Sequence, residues 1–140
     1  MKTKLHYLFP ILALLLTGCA VFRPKQTGLL DGKLRPCPPA PKCVSSYYEK
    51  GIHHIEPLRA SLDQIESVLL NLDEANIVKG ETNYLYAEFT SRIFGFVDDV
   101  EFLYDPTTGL THVRSASRVG YGDMGVNRKR IEAIRTAIGG

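Results

Sequence analysis

The sequence lacks the features that mark several large classes of protein. No apolar run is long enough to cross a bilayer as a helix, no collagen-type glycine repeat occurs, and no compositional bias indicates disorder. The 140 residues are 44% hydrophobic and 23% charged. These values fit a globular protein with one modest core, so two folded domains are not expected.

Several well-known catalytic motifs are also absent. The sequence contains no G-x-S-x-G nucleophile elbow, no H-E-x-x-H zinc motif and no Walker phosphate loop. His53 and His54 are adjacent and His112 stands alone, so the histidines do not form a spaced ligand set. We therefore expect no metal site and no cofactor.

Residues 1–18 have the layout of an export signal. Two lysines precede an apolar run over residues 5–16, and small residues follow. A helix of that length spans about 18 Å, which is too short for a bilayer core of about 30 Å. The sequence Leu16-Thr17-Gly18-Cys19 resembles the bacterial lipobox. This resemblance implies cleavage before Cys19 and acylation of that cysteine, whereas a plain signal peptide is the alternative.

The lipobox resemblance implies a lipid anchor that holds the protein to a membrane of the bacterial cell envelope. Ala20, rather than an aspartate, follows the cysteine, so the usual inner-membrane retention signal is absent. We expect sorting to the outer membrane where the source has one, with the domain facing the periplasm. Residues 19–33 are predicted to form a lipidated tether and residues 34–140 a single domain.

Cleavage removes most of the apparent basicity of the chain. The precursor has 17 basic and 15 acidic residues, and the signal contains Lys2 and Lys4. The mature chain therefore carries 15 basic and 15 acidic residues, a net charge of zero. We expect no nucleic-acid partner, and we expect membrane attachment through lipid rather than through long-range charge.

Cys37 and Cys43 remain once Cys19 is lipidated. Four prolines lie in the same short segment, and thiols this close are expected to oxidise outside the cytoplasm. The sequence therefore favours a disulfide. Free thiols, a metal site, and catalysis by Cys43 with a nearby serine and histidine are the alternatives.

The pattern of the domain predicts an α+β fold. Ser61 and Gln64 form a capping box before an amphipathic helix over about 62–73. A final helix is predicted over about 128–138, with Asn127 as its N-cap. Between the helices, residues 75–80, 84–92, 97–104 and 110–116 are predicted strands with short links.

We therefore expect a four-stranded antiparallel sheet with both helices packed on one face. The strand over 84–92 alternates, which predicts that one of its faces is buried. Phe94-Gly95-Phe96 lies between two strands and is expected to cap the core, with the glycine permitting a bend. An exposed wedge that meets lipid or a partner protein is the alternative for these aromatics.

Residues 43–46, 94–102, 113–121 and 123–131 resemble the signatures of the domain of unknown function 1499 family. The resemblance covers about residues 34–138. It implies a small bacterial-type module, often exported or membrane-associated, and it implies no reaction. Gly122 is a minor departure from the family pattern.

A set of charged and amide residues lies in and between the last two predicted strands and the final helix. The set consists of Arg92, Asp98, Asp99, Arg114, Ser117, Arg118, Asp123, Asn127, Arg128 and Arg130. Internal pairing of arginines with aspartates is one interpretation. The other is an anion site, because Arg128 and Arg130 lie where the helix dipole already presents positive charge and an anion would offset them.

These features favour a non-enzymatic envelope module that binds a partner protein or an anionic envelope ligand through the face formed by residues 114–130. One alternative is a small hydrolase or lipid-modifying enzyme that uses Asp98, Asp99 or Asp123 as base, with a serine of the neighbouring strand. The other is a structural accessory subunit without a pocket.

Overall fold

The computed structural model describes residues 26–139, in which nine elements follow one another. They are β1 (Leu29–Leu30), β2 (Lys33–Leu34), β3 (Cys43–Ser45), α1 (Leu62–Leu69), β4 (Ala75–Gly80), β5 (Tyr84–Thr90), β6 (Val97–Asp105), β7 (Leu110–Ser117) and α2 (Val126–Ala137). The predicted signal peptide, Cys19 and the first part of the tether lie outside this range. No helix within it is long and apolar enough to cross a membrane.

The main sheet has five antiparallel strands in the order β3-β7-β6-β5-β4. The predicted α+β class and the two helices are confirmed, but the prediction of four strands was wrong. The missed strand, β3, has three residues, and Cys43 and Ser45 pair with Ala116 and Arg114 of β7. All three β3 residues are buried, so the strand shows no alternation by which it could be recognised.

Both helices pack on the same face of the sheet and form the main core. Ile65 of α1 and Ile131 of α2 are fully buried together with Val100 and Phe102 of β6. The capping box of α1 is confirmed, since the Gln64 N–H donates to the Ser61 hydroxyl and the Ser61 N–H donates to the Gln64 side chain. This helix ends at Leu69, several residues before the predicted boundary, because the following turns tighten to i→i+3 bonds.

The opposite face of the sheet is also covered. The β1–β2 hairpin lies over it, and Leu34 packs with Tyr84 and Tyr86, both 4% exposed. The prediction that β5 is buried on only one face was therefore wrong. The hairpin falls largely within the predicted tether, and the Gly28 N–H donates to the Glu101 carboxylate at 2.6 Å.

A disulfide joins Cys37 to Cys43, with 5.6 Å between the two Cα atoms. The predicted disulfide is thus present. It ties the proline-rich segment to the first residue of β3, which is the edge strand of the sheet. Closing this short loop lowers the conformational entropy of the unfolded chain and so favours the folded state.

We predict that Cys37→Ala lowers the free energy of unfolding by about 2 kcal/mol, the loop entropy expected for so short a ring. Urea unfolding measures the change, and the variant leaves Cys43 buried in place. Adding a reductant should destabilise the unaltered chain by a similar amount and should leave the variant unchanged. Equal stability of the oxidised and reduced chains would contradict the prediction.

Candidate functional site

The two faces of the sheet divide the predicted polar set. Asp98 and Asp99 are neighbours in β6, so their side chains lie on opposite faces. Asp98 faces the helices and accepts from Arg130 Nη2 at 2.6 Å. Asp99 faces the hairpin side and accepts from Arg118 Nε at 3.0 Å and Nη2 at 2.7 Å. Internal pairing therefore accounts for both aspartates.

Asn127 joins the helix-side network. Its Oδ1 accepts from Ser115 Oγ at 2.6 Å and from Arg130 Nη1 at 2.8 Å. Its Nδ2 lies 2.7 Å from an oxygen of Asp123 and 2.9 Å from Ser117 Oγ. The prediction of Asn127 as N-cap was wrong: α2 begins at Val126, two residues before the predicted start, and the Asn127 side chain is fully buried beneath the helix start.

Asp123 satisfies the amino end of α2 in place of the predicted cap. Gly125 holds the N-cap position with φ of 78°, and its N–H donates to the Asp123 carboxylate at 2.9 Å. The Asn127 N–H donates to the other carboxylate oxygen at 3.2 Å. Burial raises the pKa of Asp123, but these bonds and the Asn127 side-chain bond outweigh it and lower the pKa overall.

The sequence-based prediction overlooked a glycine spacing in this loop. Gly120, Gly122 and Gly125 stand at the G-x-G-x-x-G spacing between β7 and α2. In dinucleotide-binding folds this loop belongs to a parallel βαβ unit and binds phosphate at the helix start. Here the sheet is antiparallel, and the Asp123 carboxylate accepts hydrogen bonds from the backbone N–H groups of Gly125 and Asn127 at the start of α2. The three glycines therefore belong to a loop in which Asp123 caps α2.

On the hairpin side, Arg118 holds a second network. Besides Asp99 it contacts Glu88 and donates to the Tyr86 hydroxyl at 3.0 Å. The Tyr86 hydroxyl itself donates to Asp99 at 2.6 Å. The same hydroxyl lies 2.9 Å from a Glu88 carboxylate oxygen. Burial, followed by the hydrogen bonds of the hydroxyl to Asp99 and Glu88, raises the pKa of Tyr86, so the phenol stays protonated.

Arg114 forms a buried ion pair with Glu101. The side chains are 2% and 0% exposed, and Arg114 Nη1 lies 3.1 Å from Glu101 Oε2. The other Glu101 oxygen accepts from the Tyr84 hydroxyl at 2.7 Å and from the Gly28 N–H. Arg114 Nε is a buried donor that has no partner among the described residues. Arg114 is thus enclosed and does not belong to an open surface.

Three cations of the region differ from the paired arginines. Arg92 is mostly exposed and lies 3.7 Å from the nearest carboxylate oxygen, that of Asp73. Arg128 donates to the Ile52 carbonyl at 3.0 Å, and neither it nor the exposed Lys129 has a carboxylate partner within residues 26–139. Both lie in the first turn of α2, where the dipole disfavours positive charge.

The loops beside these cations expose apolar side chains. Phe94 is 73% exposed, and its ring stacks on Phe96 with centroids 5.5 Å apart. The prediction that these aromatics cap the core was wrong, because Ser91 closes their loop beyond the end of the sheet by bonds to both backbone groups of Phe96. Tyr121 and Met124 of the loop before α2 are 79% and 93% exposed.

A comparison with protein families gives one match. A family model described as "Protein of unknown function (DUF1499)" covers residues 33–138. The chain belongs to the DUF1499 family. No curated protein and no solved structure matches it.

An apolar groove of about 440 Å³ opens beside the exposed loops of this DUF1499 chain. Side chains of α1, α2 and the end of β5 line it, and Arg92, Lys129 and Val126 belong to its lining. No group of three potential metal ligands occurs in the part of the chain that the structure describes.

Sequence reasoning also missed a contact between Ser46 and His112. Ser46 Oγ lies 3.1 Å from His112 Nδ1 and accepts the Val113 N–H at 3.0 Å. Burial lowers the pKa of His112 and keeps the ring neutral. No carboxylate within residues 26–139 hydrogen-bonds this ring, so the orienting acid of a catalytic triad is missing. Residues so far apart in sequence gave no signal of the contact.

We predict that the buried pair of the DUF1499 domain is strongly coupled. Glu101→Gln leaves the Arg114 charge buried without a counter-ion and should cost about 3–5 kcal/mol of stability. Adding Arg114→Met removes that charge, so the double variant should lose less than the sum of the two single losses. Urea unfolding of all four chains measures the coupling.

The control for this cycle is the pair formed by the exposed Glu132 and the partly buried Arg135. Glu132→Gln should change stability by only about 0–1 kcal/mol. Additive losses at Glu101 and Arg114 would show that the pair is not coupled.

We also predict an acid-dependent contribution from Asp123. Because its folded pKa lies below the ordinary value of about 3.9, its contribution is complete above that pH and is lost as pH falls through the folded pKa. Asp123→Asn should therefore be less stable at pH 7, and the difference should shrink towards pH 2 in urea unfolding. Asp63→Asn, on the exposed side of α1, is the control. A difference that does not vary with pH would refute the assignment.

Proposed function

We propose that this chain is an exported bacterial lipoprotein that acts as a non-enzymatic module of the cell envelope. It is anchored through Cys19 and binds a partner protein or an anionic envelope ligand. The lipobox resemblance at Leu16-Thr17-Gly18-Cys19 and the neutral charge of the mature chain support the anchor. Membership of the DUF1499 family is compatible with this function and adds no reaction to it.

The choice of binding surface depends on exposed apolar side chains that lie at one end of the sheet. We define the loop end as residues 91–96 and 118–126, which lie at one end of the sheet. Large apolar side chains are exposed there, beside Arg128 and Lys129, which have no carboxylate partner in the described range. Contiguous exposed apolar surface with a polar border is typical of interaction sites.

Internal ion pairs reduce the part of the predicted binding face that is available to a ligand or partner. Within the face formed by residues 114–130, the charges of Arg114, Arg118 and Arg130 are neutralised by internal carboxylates. The open part of that face is therefore the loop before α2 and the first turn of the helix.

The hydrolase hypothesis receives no support from this geometry. Asp98 and Asp99 face opposite layers and each holds an arginine, while Asp123 caps α2. A pair of carboxylates that acts as acid and base has to reach the same substrate, whereas each of these three carboxylates is already bound by internal donors.

We predict that Cys19→Ser abolishes incorporation of labelled palmitate in a bacterium that lipidates exported proteins. Cys37→Ala is the matched control and should retain the label, because its thiol belongs to the disulfide. Labelling of the Cys19→Ser chain would show that the anchor is elsewhere.

We further predict site-specific cross-linking in living cells. A photo-reactive amino acid at position 94 or 121 of the full chain should form adducts with a defined envelope component. The same group at position 107, in the polar turn at the other end of β6, should not. Lys129→Glu should lower the adduct yield if an anion is bound. Equal yields at all three positions would contradict a binding surface at the loop end.

A further inference from the structure

We propose that the loop end docks on the phospholipid surface, so that the anionic ligand of this module is the bilayer to which it is anchored. This inference rests on the proposed function and names the partner of the same surface. Apolar side chains enter the interface, and the cations of α2 meet lipid phosphates.

The first argument is the position of the apolar side chains. Thr90 pairs with Val97, and Asp98 pairs with Ser117, so the two loops leave the sheet at the same end. The Arg118 N–H also donates to the Val97 carbonyl, which places the start of the second loop beside the end of the first. The exposed apolar residues of both loops therefore lie at one end of the sheet.

The composition of this end fits a lipid interface. Aromatic and long flexible apolar side chains enter the boundary between headgroups and acyl chains, with cations beside them. The exposed apolar side chains here are Ile93, Phe94, Phe96, Val119, Tyr121 and Met124. The opposite end of β6 instead carries a polar turn, Asp105-Pro106-Thr107-Thr108-Gly109. The loop end therefore matches a lipid interface, whereas the polar turn at the opposite end matches water.

The second argument is charge. Arg128 and Lys129 lie in the first turn of α2 without a carboxylate partner in the described chain, and the Asp123 carboxylate, which accepts from the backbone amides there, is not bonded to either side chain. Headgroup phosphates beside each of these side chains offset their charges. Because the mature chain is neutral, this attraction acts only at short range, after the anchor has brought the domain to the membrane.

The third argument is reach. The Gly28 N–H is bonded to Glu101, which lies four residues from the loop-end terminus of β6, about 13 Å along the strand. Eight residues lie between Cys19 and Gly28, and the nine Cα-to-Cα steps of an extended chain span about 30 Å. The tether is therefore long enough for the loop end to lie against the same membrane that holds the anchor.

The chain has no tryptophan, so a single introduced indole reports its own surroundings. Phe94→Trp and Tyr121→Trp are made in the full lipidated chain, with Thr107→Trp as the matched control. Each chain is reconstituted in vesicles of phosphatidylglycerol and phosphatidylethanolamine that carry bromine on the acyl chains. We expect blue-shifted emission and several-fold stronger quenching at positions 94 and 121 than at 107. Equal quenching at the three positions would overturn the inference.

Two further substitutions separate docking from folding. Met124 has φ of 51°, a conformation that favours glycine, so Met124→Gly should not lower stability but should weaken quenching at position 94. Lys129→Glu should weaken it through repulsion from phosphatidylglycerol, and should have less effect in vesicles without that lipid. Unchanged quenching in both variants would contradict docking through these residues.

The outcomes distinguish this inference from the proposed function. Protein adducts at position 94 or 121 in cells, without quenching by brominated lipid, would leave a binding surface but exclude the bilayer as its partner. Neither adducts nor quenching would exclude both. Quenching together with lipid adducts at these positions would support the inference.

Discussion

The ion pair between Arg114 and Glu101 is the constraint on which the arrangement of the layers depends. It lies in the middle of the sheet, where β6 and β7 pair side by side, and it is closed off from water on every side. Two buried charges cost several kcal/mol each unless they are paired and hydrogen-bonded. Glu101 meets that requirement by accepting from Arg114, from Tyr84 of β5 and from Gly28 before the hairpin. One carboxylate therefore fixes three separate segments relative to each other.

Strand β6 also contributes a carboxylate to each of two polar networks, one on each face of the sheet. Asp98 and Asp99 alternate across the sheet, and each binds an arginine from a different segment. Asp98 positions α2 through Arg130, whereas Asp99 secures the loop after β7 through Arg118. Polar residues that suggest an active site when read as a string are thus divided between two structural roles. The apolar and cationic side chains that remain exposed lie at the loop end.

Local patterns predicted most of the elements, because helix and strand periodicity is a property of neighbouring residues. The capping box at Ser61 and the alternation of residues 84–90 are examples. What failed depended on distant parts of the chain. The strand Cys43–Ser45 exists because β7 offers an edge, and both faces of β5 are buried because the β1–β2 hairpin covers one of them. Phe94 looked like a core residue because hydrophobicity predicts burial only where another layer is available to cover it.

The hydrogen bond from Gly28 to Glu101 also determines where mechanical load enters the domain. Within the described residues, the Thr27 carbonyl accepts from Arg35 and the Gly28 N–H donates to Glu101 at the centre of the sheet, so a pull on the amino end reaches these two bonds first. Such a force acts on the hairpin side and is resisted there by the bond from Arg35 to Thr27 and by the bond from Gly28 to the carboxylate that neutralises Arg114. Once that bond opens, peeling of the hairpin admits water to the buried charges. A pull on the amino end and the electrostatics of the core are therefore connected through one backbone amide.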